Sequence, residues 1–230
     1  PSYGPTPYLR SLVDSLKTQT VRPLEIIIAH SGSCDPTEWL HDSEVGVTVI
    51  HSGDRWLPGA ARNAGAIVAK GEWLAFIDSD VIAEKAWLEG FSTATCNYTQ
   101  PAVFVGSLNH GPEDGYWGRC LWFIEFGSVH PYRVSHLMAS APGANLMLPR
   151  DAFEQVKGFP VDMFVAEDAL FFIRLREMGY KLVFIPEARA SHQCISDYSH
   201  FMPRLFKLGE GAAHIRLVRN LPGSLAARVP

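Results

Sequence analysis

Residues 71–80 read Gly-Glu-Trp-Leu-Ala-Phe-Ile-Asp-Ser-Asp, GEWLAFIDSD. The apolar run Trp73–Ile77 has no polar break and stops at two carboxylates. Such a run suits a strand covered on both faces, as in a parallel sheet packed between helices. Upstream, Leu24–Ala29 (LEIIIA) repeats the pattern and stops at the turn cluster His30-Ser31-Gly32-Ser33. Val47–Ile50 reads as a second short strand, and Ala60–Lys70 as an alanine-rich helix closed by Gly71 at C′. Leu9, Leu12, Val13 and Leu16 recur at helical spacing, and Pro23 ends that segment. Downstream, a helix at Lys85–Phe91 precedes strands at Val103–Leu108 and Asn145–Leu148. Helices at Asp151–Val156 and Glu167–Met178 are each followed by a glycine, Gly158 and Gly179, before a strand at Lys181–Ile185. The alternation predicts an α/β fold with a doubly wound, mostly parallel, Rossmann-like sheet.

The composition narrows the class. Apolar residues make up 47% of the 230 residues and charged residues 19%, too apolar for a disordered chain. Lys and Arg number 20 against 24 Asp and Glu, so no basic field gathers nucleic acid by counterion release. The apolar runs fall far short of the roughly 20 residues of a spanning helix, and no signal-peptide pattern is present. The four cysteines form no C-x-x-C pair, which argues against zinc or a disulfide framework. The expectation is a reduced, cytoplasmic protein. The first residue is Pro1 rather than Met, so a processed or trimmed chain is expected.

In open parallel sheets, ligands bind beyond the carboxyl ends of the strands. Pro1-Ser2-Tyr3, His30-Ser31 and Asp78-Ser79-Asp80 are expected to line that rim. Two carboxylates as close as Asp78 and Asp80 repel unless a cation joins them. Oxygen ligands suit Mg²⁺ or Mn²⁺; the other reading is a solvated turn. Arg62, at the start of a helix, faces the positive end of the helix dipole. Either an anionic ligand relieves that conflict or the side chain swings into water. Glu167 and Asp168 open a helix, where acids cap well, and where a carboxylate also stays ionised as a general base requires. Asn109–Pro142 has no clean period and mixes His110, His130 and His136 with aromatics. A stretch this long without an element suggests a binding region, although the rings could equally close the core.

Taken together, the chain resembles the family 2 glycosyltransferases. The resemblance is carried by Glu25–Asp35 (EIIIAHSGSCD), Ala61–Gly65 (ARNAG), Gly71–Asp80, Gly143–Asn145 (GAN), Gly158-Phe159, Glu167-Asp168, Arg174-Leu175 with Gly179, and Pro186 to His192. It covers Pro1 to His192 and implies a GT-A fold. It also implies inverting transfer from a nucleoside-diphosphate sugar, a UDP-sugar first among them, to a glycan or lipid-linked acceptor. By position, Pro1, Tyr3, His30, Arg62, Asp78, Ser79 and Asn145 would bind the donor. Asp80 and His192 would hold Mn²⁺ or Mg²⁺. Asp168 would be the catalytic base, with Glu167 next in line. Residues 1–108 would form the donor half, 109–197 the acceptor and catalytic half, and 198–230 an amphipathic helical tail.

Two departures from the family stand out. His30 occupies a position usually held by an Asp that contacts the base. The family's first strand, just before Pro-Ser-Tyr, is not in the sequence, so the native N-terminus is expected upstream. A non-catalytic nucleotide-sugar-binding domain is one alternative. A sugar nucleotidyltransferase is another, but it would want a Gly-rich basic loop that Pro1–Thr6 does not supply. In the tail, Phe201, Leu205, Leu208 and Ile215 form an apolar stripe beside Arg204, Lys207, Arg216 and Arg219. That pattern suits peripheral contact of residues 198–220 with the inner face of a membrane, or packing on the domain.

Overall fold

The run at Trp73–Ile77 is a strand, but only one of its faces is covered: Leu74 and Phe76 are buried while Trp73 and Ala75 are exposed. This corrects the expectation of a strand covered on both faces: Trp73 and Ala75 line an open apolar groove. The strand is the last in its sheet and is hydrogen-bonded on one side only among the described residues. The computed structural model describes residues 1–5, 7–40, 46–194 and 197–219. Residues 220–230 of the expected tail lie outside the described residues.

In chain order the elements are β1 (Ser2–Tyr3), α1 (Leu9–Lys17), β2 (Ile26–Ser31), α2 (Thr37–Leu40), β3 (Val47–Ser52) and α3 (Pro58–Val68). Next come β4 (Trp73–Ile77), β5 (Val81–Ala83), α4 (Trp87–Asn97), β6 (Ala102–His110) and α5 (Tyr116–Phe126). A 3-10 turn at Gly127–Val129 leads to β7 (Leu137–Met138), β8 (Asn145–Pro149), α6 (Arg150–Gln155), α7 (Glu167–Glu177), β9 (Lys181–His192) and α8 (Tyr198–Val218).

One sheet has the order β1-β2-β3, all parallel. The other has the order β4-β8-β6-β9-β5, with β7 on β9. There β6 and β9 are parallel along nine pairs, whereas β8 runs antiparallel between β4 and β6, and β5 antiparallel to β9. The expected α/β, GT-A-like architecture is present. Helix α3 ends at Val68 with Ala69 extended, so Gly71 is not the C′ glycine. Gly158 and Gly179 do take positive φ, 69° and 91°, after their helices.

One apolar core joins both sheets and their helices, from Leu12 on α1 and Ile28 on β2 to Phe171 on α7 and Phe184 on β9. Phe76, Phe153, Phe159 and Phe171 pack ring against ring, with Phe159 and Phe171 stacked 3.9 Å apart. Between β2 and β4 runs an apolar groove of about 180 Å³, walled by Ile27, Ala29, Ala75 and Ile77 and floored by Gly65 and Ala66. It ends at Pro1.

Candidate active site

The strand ends meet in an open cavity of about 980 Å³. Pro1, Tyr3, Arg62, Asp78, Ser79, Asp80, Glu167, Asp168 and His192 all line it.

Asp78-Ser79-Asp80 is the turn between β4 and β5. It is closed by Val81 N–H donating to Asp78 O at 3.1 Å and anchored by Asp78 N–H to Ala144 O at 3.2 Å. The β5–β9 ladder sets Val81 opposite His192, and Gln193 N–H donates to Asp80 O at 2.8 Å. These contacts bring His192 Nε2 to 3.5 Å from Asp80 Oδ1. Burial raises the Asp80 carboxyl above its ordinary range, and His192 pulls it back. One carboxylate and one imidazole thus converge on the cavity. Among the described residues no group of three or more His, Cys, Asp or Glu could hold an ion by itself. Two protein donors fit Mg²⁺ or Mn²⁺, which complete their shells with substrate phosphates and water.

Arg62 reaches from the first turns of α3 into this wall and is buried. Its Nη1 donates to Glu167 Oε1 at 2.6 Å and its Nη2 to Asp78 Oδ1 at 2.7 Å. Burial opposes the guanidinium's charge, but Asp78, Glu167 and Asp168 outweigh it and raise its pKa.

Asp168 lies in the first turn of α7, just after Ala166, which has a left-handed backbone at φ 66°. Its Oδ2 accepts the Gly143 N–H at 2.8 Å and its Oδ1 the Ala169 N–H at 2.7 Å. Burial raises its pKa. The Gly143 N–H, Arg62 and the Ala169 N–H act in the opposite direction.

Two expected donor ligands do not reach the cavity. Asn145 is fully buried on β8: Trp87 Nε1 donates to its Oδ1 at 2.8 Å, and its Nδ2 donates to Ser107 O and Ala188 O. Its amide is spent tying β8 to β6, β9 and α4, which corrects the donor-binding assignment. His30 is buried behind Ser2, whose Oγ lies 2.9 Å from its Nδ1, and is no part of the cavity wall.

Arg55, Phe164 and Glu125, also in the wall, were not singled out by the sequence. Arg55 lies with its Cζ 4.4 Å from the centre of the Tyr3 ring and 5.0 Å from that of Phe164. Glu125 on α5 accepts from Arg204 on α8 at 2.9 and 2.5 Å. These pairs join residues far apart in sequence, so no local pattern announces them.

A family model described as glycosyl transferase family 2 matches residues 1–157. The pre-mycofactocin glycosyltransferase of Mycobacterium tuberculosis is 30% identical over 213 residues, covering 89% of this chain and 44% of that protein. The glucosyl-dolichyl phosphate glucuronosyltransferase of Haloferax volcanii is 28% identical over 211 residues, 82% of this chain and 65% of its own length. The chain therefore spans less than two thirds of these curated relatives. The structure of GalNAc-T7 with UDP, GalNAc and Mn²⁺ aligns with 95% of this chain and 50% of its own, at TM-score 0.67 and 17% identity. The mannosyltransferase PcManGT of Pyrobaculum calidifontis, in complex with GDP-Man and Mn²⁺, aligns with 98% of this chain and 72% of its own at TM-score 0.63 and 17% identity.

Proposed function

Because the chain belongs to glycosyl transferase family 2, we propose that it moves a sugar from a nucleoside-diphosphate sugar to an acceptor hydroxyl with inversion at the anomeric carbon. The observation that carries this reading is the shared cavity. Asp168, held by the Gly143 N–H at 2.8 Å, opens onto the same space as Asp78, Asp80 and His192.

Asp78 has one oxygen committed to Arg62, and its partly exposed side chain is free to accept a donor hydroxyl with the other. Tyr3, half exposed, offers a ring face near the base. Asp80 and His192 would hold Mn²⁺ or Mg²⁺. When bound, that ion neutralises charge on the leaving diphosphate. Asp168 takes the acceptor hydroxyl's proton as the oxygen attacks the anomeric carbon from the face opposite the diphosphate. The bond to the diphosphate oxygen breaks with its electron pair, so no covalent sugar–enzyme species forms. UDP is supported by the UDP complexes among similar folds. An acceptor with an apolar part, glycan or lipid-linked, is supported by Leu121, Ile124 and Leu208 in the cavity wall. Peripheral membrane contact through α8 would suit such an acceptor. No helix among the described residues is long and apolar enough to cross a membrane.

The test is Asp168→Asn, which keeps size and accepts one of the two backbone N–H groups but cannot take the proton. Turnover of a UDP-sugar should fall about 10²–10⁴-fold while UDP affinity stays within a few-fold. Full activity would remove Asp168 from the mechanism.

A further inference from the structure

We propose that Cys194 is a positioning residue for the ion site: its sulfur accepts the Nδ1–H of His192 and so keeps Nε2 bare beside Asp80. This inference rests on the proposed role of His192 as a ligand of Mn²⁺ or Mg²⁺.

The surroundings of the imidazole carry it. Cys194 Sγ lies 3.0 Å from His192 Nδ1, whereas Nε2 stands 3.5 Å from Asp80 Oδ1. The first contact is a hydrogen bond, and the second is longer than a normal one. A neutral imidazole carries a single N–H, and only the nitrogen without it can ligate an ion. With the close partner at Nδ1, the proton sits there and the Nε2 lone pair is left toward Asp80. A histidine that holds a metal commonly donates its other N–H to a neighbouring acceptor, which fixes the tautomer and the direction of the ring. In this chain the group in that place is a thiol. It meets the ring at the nitrogen that does not face Asp80, so it supports the ligand without joining it.

A thiol is a weak acceptor, and the rest of the pocket makes up for this by fixing both partners. His192 is the last residue of β9 and pairs with Val81 of β5 and His110 of β6. The next residue is pinned in turn, because Gln193 N–H donates to Asp80 O at 2.8 Å. Cys194 follows at once and is 7% exposed in the cavity wall. Helix α5 closes over the pair. Phe126 lays its ring 4.4 Å from that of His192, tilted by 36°, and a Cβ at Gly118 would collide with the Cys194 carbonyl oxygen. Ring and sulfur are therefore held in register by three strands and one helix.

The experiment uses the full chain and its Cys194→Ala, Cys194→Ser and His192→Ala variants. Nitrogen-15 NMR of the metal-free protein reads the His192 tautomer, with His192→Ala assigning the signal. Calorimetry of Mn²⁺ into protein with UDP reads the affinity for the ion. The parent should show the Nδ1–H tautomer. Cys194→Ala should shift it toward Nε2–H and weaken Mn²⁺ by about 10–100-fold, with UDP affinity in EDTA unchanged. Cys194→Ser, whose hydroxyl can accept the same proton, should keep the tautomer and hold Mn²⁺ affinity within about threefold. An Nε2–H tautomer in the parent overturns the inference, and decides it alone if Cys194→Ala does not fold. So does parental Mn²⁺ affinity in Cys194→Ala where His192→Ala has lost it. Parental affinity in His192→Ala removes His192 from the ion site and takes the inference with it, so that one variant tells the two failures apart.

Discussion

A methyl group at residue 143 measures how closely the Asp168 carboxylate is held. Its ideal position lies 3.0 Å from Asp168 Cβ and 3.5 Å from Oδ2, with no positive φ to forbid alanine. Gly143→Ala should therefore fold, displace the carboxylate by a few tenths of an ångström, and cost about tenfold or more in turnover. A steady-state comparison with the melting temperature checks this; unchanged kcat would mean the carboxylate does not need its present place. Ala166 makes a related point. An L-residue in the left-handed region costs about 1–2 kcal/mol, and glycine relieves that while adding about 0.4–1 kcal/mol of unfolded-state entropy. Ala166→Gly should leave stability within about 1 kcal/mol, as urea unfolding would show. At this scale the shared cavity lining of Asp78, Asp80 and Asp168 was legible, because they are acids placed where a strand stops and a helix starts. Asn145 was misread because its partners Trp87, Ser107 and Ala188 belong to other elements, which no spacing rule connects.

At the level of elements, α5 shows how a pattern is masked. Its buried residues Gly118, Leu121, Trp122 and Phe126 keep helical spacing, yet Tyr116, Phe123 and Ile124 are exposed beside Arg119, so the outer face is also largely apolar. Amphipathic contrast is what a sequence pattern detects, and here it is missing. Along the expected stripe of α8, Phe201 and Ile215 are buried and Leu205 and Leu208 half-buried, and Asp197 accepts the His200 N–H at 3.1 Å. Gly211, which weakens a helix by propensity, sits where a Cβ would come 2.8 Å from a methyl of Val165. It is a contact residue. The α5–α8 joint rests on Glu125 and Arg204, and Glu125→Ala leaves a half-buried guanidinium unpaired. The loss should be about 1–3 kcal/mol, read from the urea midpoint. A silent variant would show that apolar packing alone holds α8.

For the molecule as a whole, pH and ligand link the parts. Burial raises the Asp168 pKa, so the proposed base is lost by protonation as pH falls through that elevated value. The acidic limb of turnover should then lie above the ordinary Asp value of about 4; a limb at or below it would contradict the burial. UDP with Mn²⁺ should raise the melting temperature more than UDP in EDTA, because a ligand that needs the ion stabilises only the loaded native state. Strand positions and the α/β class were readable from apolar runs. Strand direction was not: β8 and β5 carry the same residue types as their neighbours, and the turns that reverse them obey contacts such as Asp78 N–H to Ala144 O. The groove between β2 and β4 leaves a signature on the time axis. On each of these strands alternate amides point to a paired neighbour and alternate amides to the groove, since β2 is bonded along its length only to β3 and β4 only to β8. Deuterium uptake along Ile26–Ala29 and Trp73–Ile77 should therefore rise and fall with a two-residue period. Slow and fast exchange would alternate inside single strands of the most apolar segments of the chain.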